Sequence, residues 1–161
     1  MKTVLAPVDF SAATEAVLKA ASALARAVHG RVMLVHVTQP PAAQTEYAPL
    51  LQDIAEITTT ADRRAAKQLA VFEADLSSEF VPADSVHLVG SPIPHIVAQA
   101  EKHSADYIVM GSHGHSAFYD LLVGSTTHGV IQKAKCPVVI IPAKVLAATT
   151  NRQKEQPAAT V

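Results

Sequence analysis

Three glycines pose the first chemical question. Gly111, Gly114 and Gly124 follow the spacing Gly-x2-Gly-x9-Gly, and Ser125 and Thr126 come directly after the last of them. Glycine accepts backbone angles, and a closeness of approach, that a side chain forbids. If Gly124-Ser125-Thr126 opens a helix, its first N–H groups have no intrahelical partner and two hydroxyls stand beside them. Orphan amides and the partial positive charge of a helix N-terminus bind phosphate. Neither Gly-x4-Gly-Lys-Ser/Thr nor Gly-x-Gly-x2-Gly occurs in the chain. A phosphate here is therefore expected on backbone amides and hydroxyls rather than on a loop lysine.

Other residues admit two readings each. Asp9, in Pro7-Val8-Asp9, is either a ligand contact or a turn acid ahead of a helix. Gly111 and Gly114 alone would also suit an ordinary strand-to-helix turn. Ser125 reads as a helix cap, which is compatible with phosphate binding. His113 and His115, taken with His128, match no structural zinc spacing, so no metal site is expected. His36 falls on an apolar run and reads as a satisfied core histidine. Cys136 is the one cysteine, so an internal disulfide is excluded. With Lys133 and Lys135 nearby it reads as a packed small residue or as a mildly activated thiol.

The elements that position these residues alternate in type. Val4–Val8, Val32–Val37, Val86–Val89, Tyr107–Met110 and Val138–Ile141 are short, rich in β-branched residues and lack strict polar alternation. They read as strands buried on both faces. Val17, Ala21, Leu24 and Val28 form one apolar stripe of a helix expected to start at Ser11 and stop near Gly30, with Gly30 in the left-handed position. Ile54, Ile57, Ala61, Ala65, Phe72 and Leu76 mark a longer helix with Asp62, Arg63 and Lys67 facing solvent. Ser91-Pro92 opens a third helix, with Ile93, Ile96, Val97 and Ala100 inward. A fourth is expected from Ser125 to Ala134. Gly129 lies inside it at a cost of about 1 kcal/mol relative to Ala, for no reason visible in the sequence. The order predicts an α/β fold with a parallel sheet and helices on both faces. Thr38 to Pro49 reads as a mobile loop, and Lys144 to Val161 as a disordered tail after a domain ending near residue 143.

Composition narrows the function classes. The chain has 161 residues, enough for one domain, with 49% hydrophobic and 17% charged residues. A formal net charge of −1 gives no basic excess for nucleic acid or for an anionic membrane. No segment reads as a signal peptide or membrane span, so a cytoplasmic location is expected.

The glycine segment, the opening Val4-Leu5-Ala6-Pro7-Val8-Asp9-Phe10-Ser11, the strand Leu34-Val35-His36-Val37 and the ending Cys136-Pro137-Val138-Val139-Ile140-Ile141-Pro142 resemble the universal stress proteins, in their ATP-binding branch. The resemblance covers residues 3 to about 142. It implies an open, Rossmann-like five-stranded sheet in the order 3-2-1-4-5, with Pro7 and Asp9 beside the adenosine. It also implies backbone contacts from Val37 to adenine. Gly111, Gly114, Gly124, Ser125 and Thr126 would surround the triphosphate, and Ser112, His113, His115 and Ser116 would line the loop over it. After Gly114 the family often carries Arg or Lys; His115 neutralises phosphate less well near pH 7. Mg²⁺ could arrive with ATP, since it needs few protein ligands. The resemblance further implies a homodimer paired through Val138, Val139, Ile140 and Ile141.

Three functions compete on this reading: an ATP-binding stress regulator with slow or no hydrolysis, a weak or efficient ATPase or phosphotransferase, and a nucleotide-free interaction module. Efficient phosphoryl transfer needs a positioned Lys or Arg, and the loop offers only His113, His115 and Asp120. The coincidence of Asp9, the glycines and Ser125-Thr126 favours the first.

Overall fold

Each of the five apolar runs is a strand in the computed structural model, which describes residues 1–39, 51–112 and 123–142, of which 51–59 as backbone alone. Along the chain come β1 (Lys2–Pro7), α1 (Thr14–Ala27), β2 (Gly30–Thr38), α2 (Leu51–Ser78), β3 (Ala83–Val89), α3 (Pro92–Lys102), β4 (Tyr107–Gly111), α4 (Ser125–Lys133) and β5 (Val138–Ile141). The strands pair in the order β3-β2-β1-β4-β5, every pair parallel. The sheet is the open, Rossmann-like α/β type expected. The expected loop beyond Gln39 and the tail from Lys144 lie outside the described residues.

Right-handed crossovers explain the layering. From β1 to β3 the chain steps one way across the sheet, so α1 and α2 share one face. From β3 it jumps back to β4 and on to β5, which puts α3 and α4 on the other. Alternate strand residues feed the two cores. Val4, Ala6, Val32 and Leu34 pack with Val17, Ala21, Leu69 and Leu76. Leu5, Met33, Val35, Ile108 and Met110 pack with Ile96, Ala100 and Val130.

Several local expectations change. Helix α1 starts at Thr14 after Ala13, because Ser11 closes a turn first: its Oγ accepts from Ala13 N at 3.3 Å and its carbonyl from Thr14 N at 3.0 Å. His29, at φ 52°, takes the left-handed position expected of Gly30. Gly30 opens β2 instead, where a Cβ would sit 2.6 Å from the Lys2 carbonyl oxygen. Thr38, expected to start a loop, ends β2. Burial on both faces holds for the central strands but not for the edges, since Val89 and Val139 are exposed. Leu69 joins the inner stripe of α2. Asp62 does not simply face solvent: its Oδ1 is buried. Among the described residues no helix is long and apolar enough to cross a membrane.

Candidate functional site

The crossovers send the chain leaving β1 and the chain leaving β4, neighbours in the sheet, to helices on opposite faces, and an open α/β sheet has its crevice beyond the carboxyl ends of such strands. A cavity of about 510 Å³ lies there. Seven of the residues singled out from sequence meet on its wall: Pro7, Asp9, Val37, Gly111, Gly124, Ser125 and Thr126. Ser112 is not on the wall; it is buried, and its carbonyl accepts from Gly124 N at 2.6 Å. His113, Gly114, His115 and Ser116 lie outside the described residues.

One side of the cavity is the start of α4. Its N-cap is Gly124, at φ −67° and ψ 159°, rather than Ser125, which is the first helical residue. Gly111 ends β4 and is not among the residues of positive φ, so no unusual angle requires glycine there. The Gly124 amide is already engaged by Ser112. The amides of Ser125, Thr126 and Thr127 precede the first i−4 bond, from His128 N to Gly124 O at 2.9 Å, and have no intrahelical acceptor. Thr127 Oγ1 donates to the Gly111 carbonyl at 2.9 Å, which ties this helix start to the end of β4.

The other side is the β1–α1 turn. Asp9 Oδ1 accepts from Ser11 N at 3.0 Å, so Asp9 shapes the turn while also standing on the cavity wall. Both readings of this residue describe the same side chain. Thr14, on the wall, has a buried Oγ1 with no hydrogen-bond partner among the described residues. His36 is satisfied, as expected, by the Val8 carbonyl at 2.7 Å from Nδ1. It belongs to the cavity wall rather than to the core.

Thr14, His36, Met110 and Thr127 also line the cavity, and none of them is read as a site residue from the sequence. His36 was the recoverable one, since it neighbours Val37 at the same strand end. The structure also accounts for Gly129: a Cβ there would lie 2.4 Å from Ile93 Cδ1 and 3.0 Å from its Cγ1. Glycine at that position lets α4 approach α3. Cys136 packs beside the second core, and burial pushes its thiol up from the usual value. That is a packed small residue and not an activated nucleophile. His128 is exposed, and among the described residues no group of three His, Cys, Asp or Glu could hold a metal ion.

The universal stress protein family model matches residues 1–142. Universal stress protein MJ0577 of Methanocaldococcus jannaschii is 28% identical over 155 residues, covering 89% of this chain and 96% of its own. Its solved structure has a TM-score of 0.74 at 29% identity, covering 87% and 94% of the two chains. A universal stress protein from Thermus aquaticus is 30% identical over 143 residues, covering 87% of this chain and 98% of its own. The universal stress protein of Archaeoglobus fulgidus in complex with dAMP has a TM-score of 0.60 at 27% identity, covering 88% and 98%. With its sheet order, its switch-point cavity and this match across nearly the whole described fold, the chain belongs to the universal stress protein family.

Proposed function

We propose that the chain binds an adenine nucleotide, ATP, in the switch-point cavity and acts as a stress-response regulator in the cytoplasm, with slow or no hydrolysis. The observation that carries this reading is convergence. The start of α4 and the turn bearing Asp9 come from opposite halves of the sheet and face one cavity. Its volume of about 510 Å³ lies inside the range of small-molecule sites, roughly 300–1,000 Å³. The dAMP complex of the Archaeoglobus fulgidus relative supports an adenine nucleotide as the ligand class.

In this reading the amides of Ser125, Thr126 and Thr127 hold the phosphates, and the hydroxyls of Ser125 and Thr126 add further donors. Gly111 would leave room beside them, and His113, Gly114, His115 and Ser116 would contribute from the segment that follows the buried Ser112. Pro7, Asp9 and the Val37 backbone border the adenosine. Thr14 Oγ1, buried and without a partner among the described residues, is a polar atom that a ligand could satisfy. Mg²⁺ bound through phosphate oxygens and water would supply charge neutralisation and needs no dedicated protein cage. Among the described wall residues there is no Lys or Arg, which supports slow hydrolysis at most, because fast phosphoryl transfer needs such a cation.

Occupancy would act by setting the cleft's conformation and hence partner choice. A second copy paired along β5 fits the edge position of that strand, where Val139 is 37% exposed. An unpaired edge is otherwise a template for unwanted pairing. The test is to heat-denature freshly purified chain and separate the released small molecules by ion-pair chromatography, alongside calorimetric titration with ATP. Copurified adenine nucleotide or saturable ATP binding is the expected result. An empty supernatant together with no heat at millimolar ATP would remove the proposal.

A further inference from the structure

Asp9 stands on a turn that belongs to neither β1 nor α1, so its position needs a separate explanation. Val8 N donates to the Val35 carbonyl at 2.9 Å, extending the strand ladder. The Val8 carbonyl is bonded instead to His36 Nδ1, at 2.7 Å. A carbonyl oxygen only accepts, so Nδ1 carries the hydrogen and the tautomer is fixed by this contact. One side chain thus sets the orientation of the peptide that leads into Asp9.

The next residue is strained. Phe10 sits at φ 59°, a region that bulky side chains enter only when their surroundings compel it. Those surroundings are rings. Phe10 stacks on His36 with centroids 4.1 Å apart and planes at 28°, and it meets Phe72 in a tilted contact at 6.1 Å. His36 stacks in turn on His87 at 5.6 Å and 20°. His87 Nε2 lies 2.7 Å from Thr38 Oγ1 and 3.6 Å from Asp62 Oδ1. The stack therefore runs from the turn across β2 and β3 to α2. A ring placed only to fill space needs no polar atom, and burying one costs free energy unless it is hydrogen-bonded. Here the polar atom is used on the turn.

We infer that His36 is a positioning residue for the cleft: its bond to the Val8 carbonyl and its stack on Phe10 hold the Val8–Asp9 peptide so that Asp9 borders the adenosine. The inference deepens the nucleotide reading above and rests on it. It is tested with full-length chain carrying His36→Phe, which keeps a ring but no donor, and His36→Asn, whose amide nitrogen can replace Nδ1. ATP affinity is measured by calorimetry, thermal midpoint by scanning, and the Ser11 amide by nitrogen-15 hydrogen exchange without nucleotide.

His36→Phe should bind ATP roughly tenfold more weakly, the scale of one lost hydrogen bond, and its Ser11 amide should exchange faster. His36→Asn should recover most of the affinity and protect Ser11. Wild-type affinity in His36→Phe, or affinities that merely follow the thermal midpoints of both variants, overturns the inference alone. A wild-type chain that binds no ATP overturns the nucleotide reading and this inference with it.

Discussion

The two walls of the cleft are built by different means. On the α4 side the donors are backbone amides, exposed because a helix must begin somewhere, and the local side chains are small. On the β1–α1 side the shape is set by side chains. Phe10, His36 and His87 stack in a row, and His36 fixes a carbonyl that the strand ladder leaves over. A backbone wall recognises charge, since amides aimed at one point favour an anion of almost any identity. A side-chain wall recognises shape. On the proposed nucleotide reading, the difference would assign affinity for phosphate to chain direction and choice of base to packing.

The largest effect is expected where the backbone wall loses one amide. Ser125→Pro removes the N–H of the first helical residue, a position where proline is well tolerated. Gly124, at ψ 159°, already has the extended backbone that a residue before proline prefers. The helix should survive while ATP binding weakens roughly 10- to 100-fold, the worth of a hydrogen bond to a charged group. Ser125→Ala, which loses only the hydroxyl, should cost no more than about fivefold on the scale of a neutral hydrogen bond. Calorimetry on both variants, with far-UV circular dichroism, decides the matter. Equal losses in the two would mean that the hydroxyl and not the amide grips the ligand, and the contrast between the walls would fail.

A smaller effect is expected one turn further along. Gly129→Ala gains about 1 kcal/mol of helix propensity but pushes a Cβ to within 2.4 Å of Ile93 Cδ1. Overpacking typically costs ~1–3 kcal/mol. The branched Ile93 can swing its Cδ1 aside more easily than its Cγ2, which is 3.3 Å from the new atom. The net result should be a destabilisation of about 1 kcal/mol, or ~2–4 °C in Tm. Adding Ile93→Val, which deletes Cδ1, should restore the midpoint. No recovery in the double variant would mean that the close approach of α3 and α4 is not what requires glycine.

The same contrast explains what could be read in the sequence. The glycine spacing and Ser125-Thr126 were legible because a backbone site is written locally, by residues close together along the chain. The strands were legible as apolar runs alternating with helices, while their order, and with it the two strands that flank the switch point, came with the family resemblance. What escaped depends on distant neighbours. The reason for Gly129 is Ile93, on another helix. The use of His36 is Val8 and Phe10, across two strands. The apolar runs of β3 and β5 resemble those of the central strands, and only their edge positions leave Val89 and Val139 exposed. The start of α1 is the exception, displaced by a local fact: Asp9 and Ser11, each bonding an amide two residues on, first close the turn that carries the cleft wall.

The opposite end of the sheet uses neither device, and it gives the smallest predicted effect. Asp106 Oδ1 accepts from Lys2 Nζ at 2.7 Å, and its Oδ2 from Thr3 N at 2.8 Å. The Lys2 hydrogen bond, followed by the Thr3 amide, holds this carboxyl below its ordinary value. A carboxyl with a depressed folded-state pKa stabilises the fold above the ordinary carboxylate range, and the gain is lost as pH falls through the folded value. The same pairing raises Lys2, so at the alkaline end the gain is lost as pH rises through the raised ammonium value. Lys2 is 60% exposed, so the pair is well screened and should weaken in salt. Asp106→Asn should therefore lower Tm slightly at neutral pH, and the gap from wild type should close as the solution is acidified. ATP affinity should not move, because the cleft lies at the carboxyl ends of the strands and this ion pair at their start. A gap that persisted in acid would show that Asp106 acts through its hydrogen-bond geometry and not its charge. A change in ATP affinity would show that the two ends of the sheet are coupled, and the division of labour between the cleft walls would then have to include the strand starts.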